Sequence, residues 1–155
     1  MSIIHVRIDD RLVHGQVAMI WTNVLSATRI MVVDDEASKS DIKKMSLKLA
    51  TPNGVSLSVL TIEAASKRIH EGVYEGQRVL LVIKSPENLL RLIKYGVDIT
   101  EANLGNLTAK DGLHHFSNTI IMNDEQVNVC KQLRKLDVKL TMQVLPTDDA
   151  SEVII

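Results

Sequence analysis

The chain has 155 residues and a formal net charge of −1, with 45% hydrophobic, 24% charged and 3% aromatic residues. That length suits a single domain with a full apolar core, and the lack of a basic excess or of aromatic platforms excludes nucleic acid as an expected partner. No apolar run approaches the ~20 residues of a membrane span, the start lacks the basic and apolar regions of a secretory signal, and the one cysteine, Cys130, rules out a disulfide framework, so a cytoplasmic, reducing compartment is expected.

Short β-branched runs alternate with longer helical segments. A first strand is expected over Ile3–Ile8. Val17, Ile20, Trp21 and Val24 follow the i, i+3, i+4, i+7 rule and predict a first helix over Gln16–Ser26 with those four side chains facing the core. A strand over Arg29–Val33 and a helix over Lys39–Ala50 follow, the latter opened by Ser38 and Asp41 as a capping box. Next come Val55–Thr61 as strand, Ile62–Glu71 as helix and Arg78–Ile83 as strand, whose "VLLVI" lacks alternation, as strands covered on both faces do. "SPEN" supplies Ser85 as N-cap and Pro86 at the first position of a helix over Pro86–Tyr95, which Gly96 ends. Ile99–Leu104 and Thr119–Met122 are strands, Glu125–Leu136 is a helix and Val138–Gln143 is a strand. In the helix pattern Val127, Cys130, Leu133 the cysteine reads as a small buried hydrophobe. The closing "PTDDASEVII" is expected as a short helix or an arm. This alternation predicts an α/β fold: an open, mostly parallel seven-stranded sheet with helices on both faces, one domain over residues 1–155. In such sheets ligands bind at the carboxyl ends of the strands, beside the point where strand order reverses.

The loop between the first strand and first helix, "RIDDRLVHGQV", is dense in charge. Neighbouring opposite charges on a loop are usually solvated pairs worth little. Three features set this loop apart. His14 and Gly15 immediately precede a helix, whose unpaired N–H groups and partial positive charge favour a phosphate. Arg7 and Arg11 lie close enough in sequence to reach one anion with planar forked donors. Asp10 is placed to accept a hydrogen bond from one ring nitrogen of His14, leaving the other free to attack. Gly15 permits close backbone approach, and Gly15 and Gln16 offer N–H groups. These are the parts of a phosphohistidine site. No carboxylate cluster suits Mg²⁺, and neither G-x-x-x-x-G-K-[ST] nor G-x-G-x-x-G is present, so no metal and no cofactor are expected.

The segment "DDRLVHGQV", Asp9 to Val17, resembles the hallmark of the mannose/fructose/sorbose family of IIB components of the bacterial phosphotransferase system: Asp-x-Arg-Leu-(Ile/Val)-His-Gly-Gln-Val directly after the first strand. The resemblance runs nearly the whole length. "VVDDEASKSDIKKMSLKLATPNGV" is similar to the family's second strand, second helix and Pro-x-Gly-Val turn. "VLLVIKSPENLLRLIKYG" resembles its fourth strand and helix, "ANLGNLTAKDG" its loop after the fifth strand, and "QVLP" a late strand end. The resemblance implies an open, mostly parallel α/β sheet and a phosphoryl relay. A IIA phosphocarrier domain would phosphorylate His14 on Nδ1. The group would pass to a hexose-type sugar held by the membrane components IIC and IID, with the chain in the cytoplasm, peripherally associated with that permease. Arg11, inside the hallmark, is expected to stabilise the phosphoryl group, with Arg7, Gly15 and Gln16 contacting it and Asp10 orienting the imidazole; Asp9 is the rival for that last role, because adjacent residues on an extended chain point opposite ways.

The alternative is a regulatory α/β module that binds phosphate or a phosphorylated partner without accepting the group, or a relative phosphorylated only as a signal. A phosphatase would need a group to activate water, and none is evident. His5 is expected at a sheet position beside a helix edge or solvent, His70 in solvent, and the adjacent His114 and His115 lack zinc-pair spacing. Lys84, Ser85 and Asn103 fall at strand ends on the rim that carries His14.

Overall fold

The computed structural model describes residues 2–155. In chain order its elements are β1 (Ile3–Asp9), α1 (Gly15–Leu25), β2 (Arg29–Val33), α2 (Asp35–Ser38), α3 (Asp41–Ala50), β3 (Ser56–Leu60), α4 (Ile62–His70), β4 (Val79–Ile83), α5 (Pro86–Lys94), β5 (Glu101–Thr108), β6 (His114–His115), β7 (Ile120–Met122), α6 (Asp124–Lys135), β8 (Lys139–Met142) and β9 (Ser151–Glu152). Every expected strand is present; β5 starts two residues later and runs four residues further than expected, to Thr108, and the other strand ends shift by at most one residue. Two-residue strands β6 and β9 extend the sheet from seven to nine members. They pair antiparallel with β7 and β8, while the other pairings are parallel. β9 settles the chain's end as a strand rather than a helix, anchored by the buried Val153.

The strands' apolar runs serve two cores. Ile30, Val32, Leu80 and Val82 point to one, covered by Ala18 and Trp21 of α1, Ala37 of α2 and Leu47 of α3. Met31, Val33, Leu81 and Ile83 point to the other, covered by Ala65 of α4, Leu89 and Leu92 of α5, and Cys130 and Leu133 of α6. Period-two alternation into two cores explains why these runs show no polar face. Each such side chain stabilises the fold by about 1.5–3 kcal/mol of burial, and truncating the fully buried Leu81 to alanine would cost about 2–5 kcal/mol. Cys130 is a core residue whose thiol burial pushes up to about 12.

Local expectations hold unevenly. Ser85 accepts from Asn88 N at 3.2 Å, with Pro86 at the start of α5, and Gly96, at φ 99°, follows its end. α3 is capped by Ser40, not Ser38, through Lys43 N at 3.2 Å. Ser38 instead ends α2, a four-residue helix capped by Asp34 that the periodicity does not reveal. α1 is rotated from its expected phase: Ala18, Trp21 and Thr22 are buried and Val24 is 60% exposed. The side of β1 that meets α1 is polar, so the helix lays Trp21 and small residues against it.

The sheet order β3-β2-β4-β1-β5 puts β1 where the order reverses, so the loop after β1 lies in the crevice such folds use for ligands. β5 is a junction: one edge pairs β1, while the other pairs β8 through Glu101–Leu104 and then β7 through Leu107–Thr108. Against β1, Ile8 pairs Leu104 and Asp9 pairs Asn106, which leaves Gly105 as the extra residue of a bulge.

Candidate functional site

β1 delivers its side chains alternately. Val6 and Ile8 enter the core under α4–α6, so His5, Arg7 and Asp9 face α1. The His5 ring stacks on Trp21 with centroids 4.6 Å apart, and the Arg7 guanidinium carbon lies 5.3 Å from the Trp21 ring centroid. Trp21 Nε1 donates to the Val144 carbonyl at 2.9 Å, which pins α1 to the chain after β8. Burial, reinforced by the Arg7 charge, lowers the His5 pKa from 6.5 to about 4, so this ring is neutral near pH 7.

Arg7 is 3% exposed. Its Nη1 donates to Asn103 Oδ1 at 2.8 Å and to the Gln143 carbonyl at 3.0 Å, and its Nη2 lies 3.5 Å from Asp9 Oδ2. The expectation that Arg7 contacts the phosphate directly therefore gives way to a supporting position beneath the loop. Asn103, expected on the rim, is buried as its partner, and Gln143 supplies the carbonyl from the end of β8.

Asp9 is the hub. It is 1% exposed, and Arg11 grips it three ways: backbone N to Oδ1 at 2.9 Å, Nε to Oδ1 at 3.1 Å and Nη2 to Oδ2 at 3.1 Å. This forked pairing raises the Arg11 pKa further above its already high value and fixes a head group that remains partly open to solvent. The Leu12 N–H closes a turn onto the Asp9 carbonyl at 2.9 Å, with Leu12 in the left-handed region at φ 61°. For a leucine that conformation stores about 1–2 kcal/mol of strain, sustained by the Asp9 contacts around it.

Asp10 points elsewhere than expected. Its Oδ1 accepts from Asn106 Nδ2 at 2.7 Å, its Oδ2 accepts from Thr108 N at 3.0 Å, and its backbone N–H donates to the Asn106 carbonyl at 2.9 Å. Asp10 thus ties the loop to β5 and does not hydrogen-bond His14, nor does the rival Asp9. The β5 partners, Asn106 and Thr108, and the bulge at Gly105 went unread in the sequence. The readable signal was a glycine inside a strand run, "ANLGN", which marks a bulge or a close approach.

His14 is the N-cap of α1, extended at φ −111° and ψ 118°, and exposed. Its carbonyl accepts Ala18 N at 2.8 Å, while its side chain makes no capping bond. Each of the other five helices has a side-chain cap: Asp34, Ser40, Thr61, Ser85 and Asn123. Each of those also carries an acidic residue in its first turn, and α1 carries none. The first N–H groups of α1, on the exposed Gly15 and Gln16, receive no side-chain cap from the protein. Lys84 shares a groove with Arg11 and Leu12 of the loop.

The family described as "PTS system sorbose subfamily IIB component" matches residues 3–154. The chain belongs to that family. The sorbose-specific EIIB component of Lacticaseibacillus casei is 31% identical over 99% of this chain and 94% of that protein. The mannose-specific EIIAB component of Escherichia coli is 32% identical over 92% of this chain and 44% of its own length. Among solved structures, the IIBSor domain of the Klebsiella pneumoniae sorbose permease superposes with a TM-score of 0.90 at 29% identity, over 97% of this chain and 92% of that one. The N-acetylgalactosamine-specific IIB component 1 of Escherichia coli gives 0.92 at 27% identity, over 98% and 99%. As a IIB component the chain is a sugar phosphotransferase subunit. Such components work with a IIA phosphodonor and a membrane permease.

His70 and His114 have partners away from this loop. His70 Nε2 is 3.0 Å from the Gly96 carbonyl, and His114 Nε2 is 2.6 Å from Asp124 Oδ1. Among the described residues no helix is long and apolar enough to cross a membrane, and no three His, Cys, Asp or Glu side chains group as a metal site.

Proposed function

We propose that His14 accepts a phosphoryl group from the phosphohistidine of a IIA domain and passes it to a hexose-type sugar at the IIC/IID permease, the chain working in the cytoplasm against that membrane complex. The observation that carries this reading is the α1 N-terminus: an exposed histidine at the N-cap of a helix with neither side-chain cap nor acidic first turn. A phosphoryl group on Nδ1 of His14 brings the missing negative charge to those N–H groups. In the transfer the lone pair of Nδ1 forms the new N–P bond. The N–P bond to the donor breaks, and its electrons return to the donor's imidazole. Arg11, held by Asp9, meets the charge spread over the transferring oxygens, where fixed cations lower the barrier most. Arg7 and Asp9 position Arg11 from below, and Asp10 holds the loop to β5. The names of the relatives include sorbose, mannose and fructose, which supports a hexose as the acceptor.

Intact-mass analysis tests the relay. The protein is incubated with phosphoenolpyruvate, enzyme I, HPr and a mannose/sorbose-type IIA domain, each omitted in turn. A single acid-labile phosphoryl group, dependent on IIA and absent in His14→Ala, is expected. No added mass with an active IIA present leaves an anion-binding module.

A further inference from the structure

α3 carries an apolar stripe on the wrong side for the core. Ile42, Met45 and Leu49 are 81%, 67% and 83% exposed, while Leu47 is the helix's buried residue. At roughly 100° per residue the three fall within about 60° of one another, directly opposite Leu47. They are largely exposed to solvent, and Ile42 also edges the groove that leads to the loop after β1. Scattered exposed apolar side chains are ordinary, but three aligned on one helix are an interaction surface in waiting.

The stripe lies beside the phosphoryl site. A groove of about 270 Å³ joins Arg11 and Leu12 of the loop to Ile42 and Lys43 at the start of α3. At the other end of the helix, a β-carbon on Gly15 would lie 3.9 Å from the Ala50 carbonyl. The whole of α3 therefore runs alongside the His14 loop.

We infer that α3 is the docking helix for the phosphodonor: a protein presenting an apolar patch with an acidic rim. This rests on the reading that His14 receives its phosphoryl group from a IIA domain. Two histidines exchanging a phosphoryl group bring their surfaces together, and a standard interface covers roughly 800 Å² per partner, a disc of about 16 Å radius. Centred on His14, such a footprint includes a helix that touches the loop at both ends. Charge selects among occupants. Lys43 is paired with Glu36 at 3.6 Å, and Asp10 and Asp34 share the groove with Arg11 and Lys84, so the cations that border the stripe itself are Lys44 and Lys48, against Asp41 in the first turn of α3. A second copy of this chain would set lysines against lysines, and the cytoplasmic loops of membrane proteins carry a Lys/Arg excess. An acidic soluble donor fits both the stripe and its rim.

The test compares wild type with a Met45→Glu/Leu49→Glu double variant and, separately, Lys44→Glu/Lys48→Glu. Steady-state phosphorylation is driven by a mannose/sorbose-type IIA domain kept phosphorylated by phosphoenolpyruvate, enzyme I and HPr. Both variants should fold, verified by circular dichroism, because the altered side chains face solvent. The KM for phospho-IIA should rise about tenfold or more with kcat within about twofold, while Leu136→Glu, at an exposed site on the α6 end, leaves KM unchanged. In wild type, unlabelled IIA should shift the amide resonances of residues 41–50. If wild type is phosphorylated but the α3 variants keep its KM, the docking assignment falls and the relay stands. If wild type accepts nothing from an active IIA, the relay falls first. Loss of a solution dimer, or of binding to anionic vesicles, with KM unchanged would give α3 to another occupant and overturn the proposal.

Discussion

The Arg7 guanidinium occupies the space in which a β-carbon at position 105 would sit: built on Gly105, that carbon would lie 2.1 Å from Arg7 Cζ. The bulge in β5 and the buried cation of β1 are one arrangement. The backbone yields at Gly105 so that Arg7 can cross it to Asn103, Gln143 and Asp9. Gly105→Ala should therefore cost about 1–3 kcal/mol in urea unfolding, as overpacking does, and should slow phosphoryl acceptance. In an Arg7→Ala background the same change should cost far less, because the clashing group is gone. Additive costs in that double-mutant cycle would show that the two residues are not coupled.

Asp9 and Arg11 should divide stability from chemistry. Asp9 is buried between two guanidinium groups, so Asp9→Ala strands the buried Arg7 charge and should cost about 3–5 kcal/mol. Arg11 is 38% exposed at its side chain. Arg11→Ala should cost only about 1–2 kcal/mol while slowing phosphoryl transfer by about 100-fold. Thermal melts and single-turnover phosphorylation of both variants check the pair; equal stability losses would remove Asp9 from its central place.

His14 stands where helices ordinarily carry a cap. His14→Asp supplies both the capping oxygen and the negative charge that α1 lacks. It should stabilise the protein by about 1 kcal/mol and abolish phosphoryl acceptance. A variant no more stable than wild type in thermal unfolding would mean that the α1 N–H groups are already satisfied.

Stability should fall in acid through His5. Its folded pKa is lowered from 6.5 to about 4, by burial first and by Arg7 second. The unfolded chain thus binds a proton on His5 where the folded chain does not. Stability is full above pH 6.5, declines as pH drops below it, and levels off near pH 4. The loss is on the order of 3 kcal/mol. Urea midpoints across that range should flatten in His5→Gln; an unchanged slope would assign the acid sensitivity to other groups.

The order of strands and helices was legible because hydrophobic periodicity is local, and five of the six helices announce themselves. α2 has four residues, too few for any period to show, and β6 and β9 have two each. The first helix was placed correctly but turned wrongly. Its apolar residues suggested one face, whereas β1 presents His5, Arg7 and Asp9 to it, and Trp21 with Ala18 covers them. At the loop, residue types and spacing pointed to an anion site at a helix start with His14 at its head.

Which charge does what was another matter. By itself the sequence determined the alternating α/β plan, the family motif and the absence of acidic residues from the first turn of α1, all properties of neighbouring residues. Only the tertiary structure decided that Arg7 lies under the loop, that Asp9 grips Arg11, and that Asp10 turns to Asn106 and Thr108, 96 and 98 positions away. It alone decided that the apolar stripe of α3 faces outward beside His14. Burial and hydrogen-bond partners depend on which distant strand the fold brings alongside, here the bulged end of β5, and no local pattern encodes that proximity.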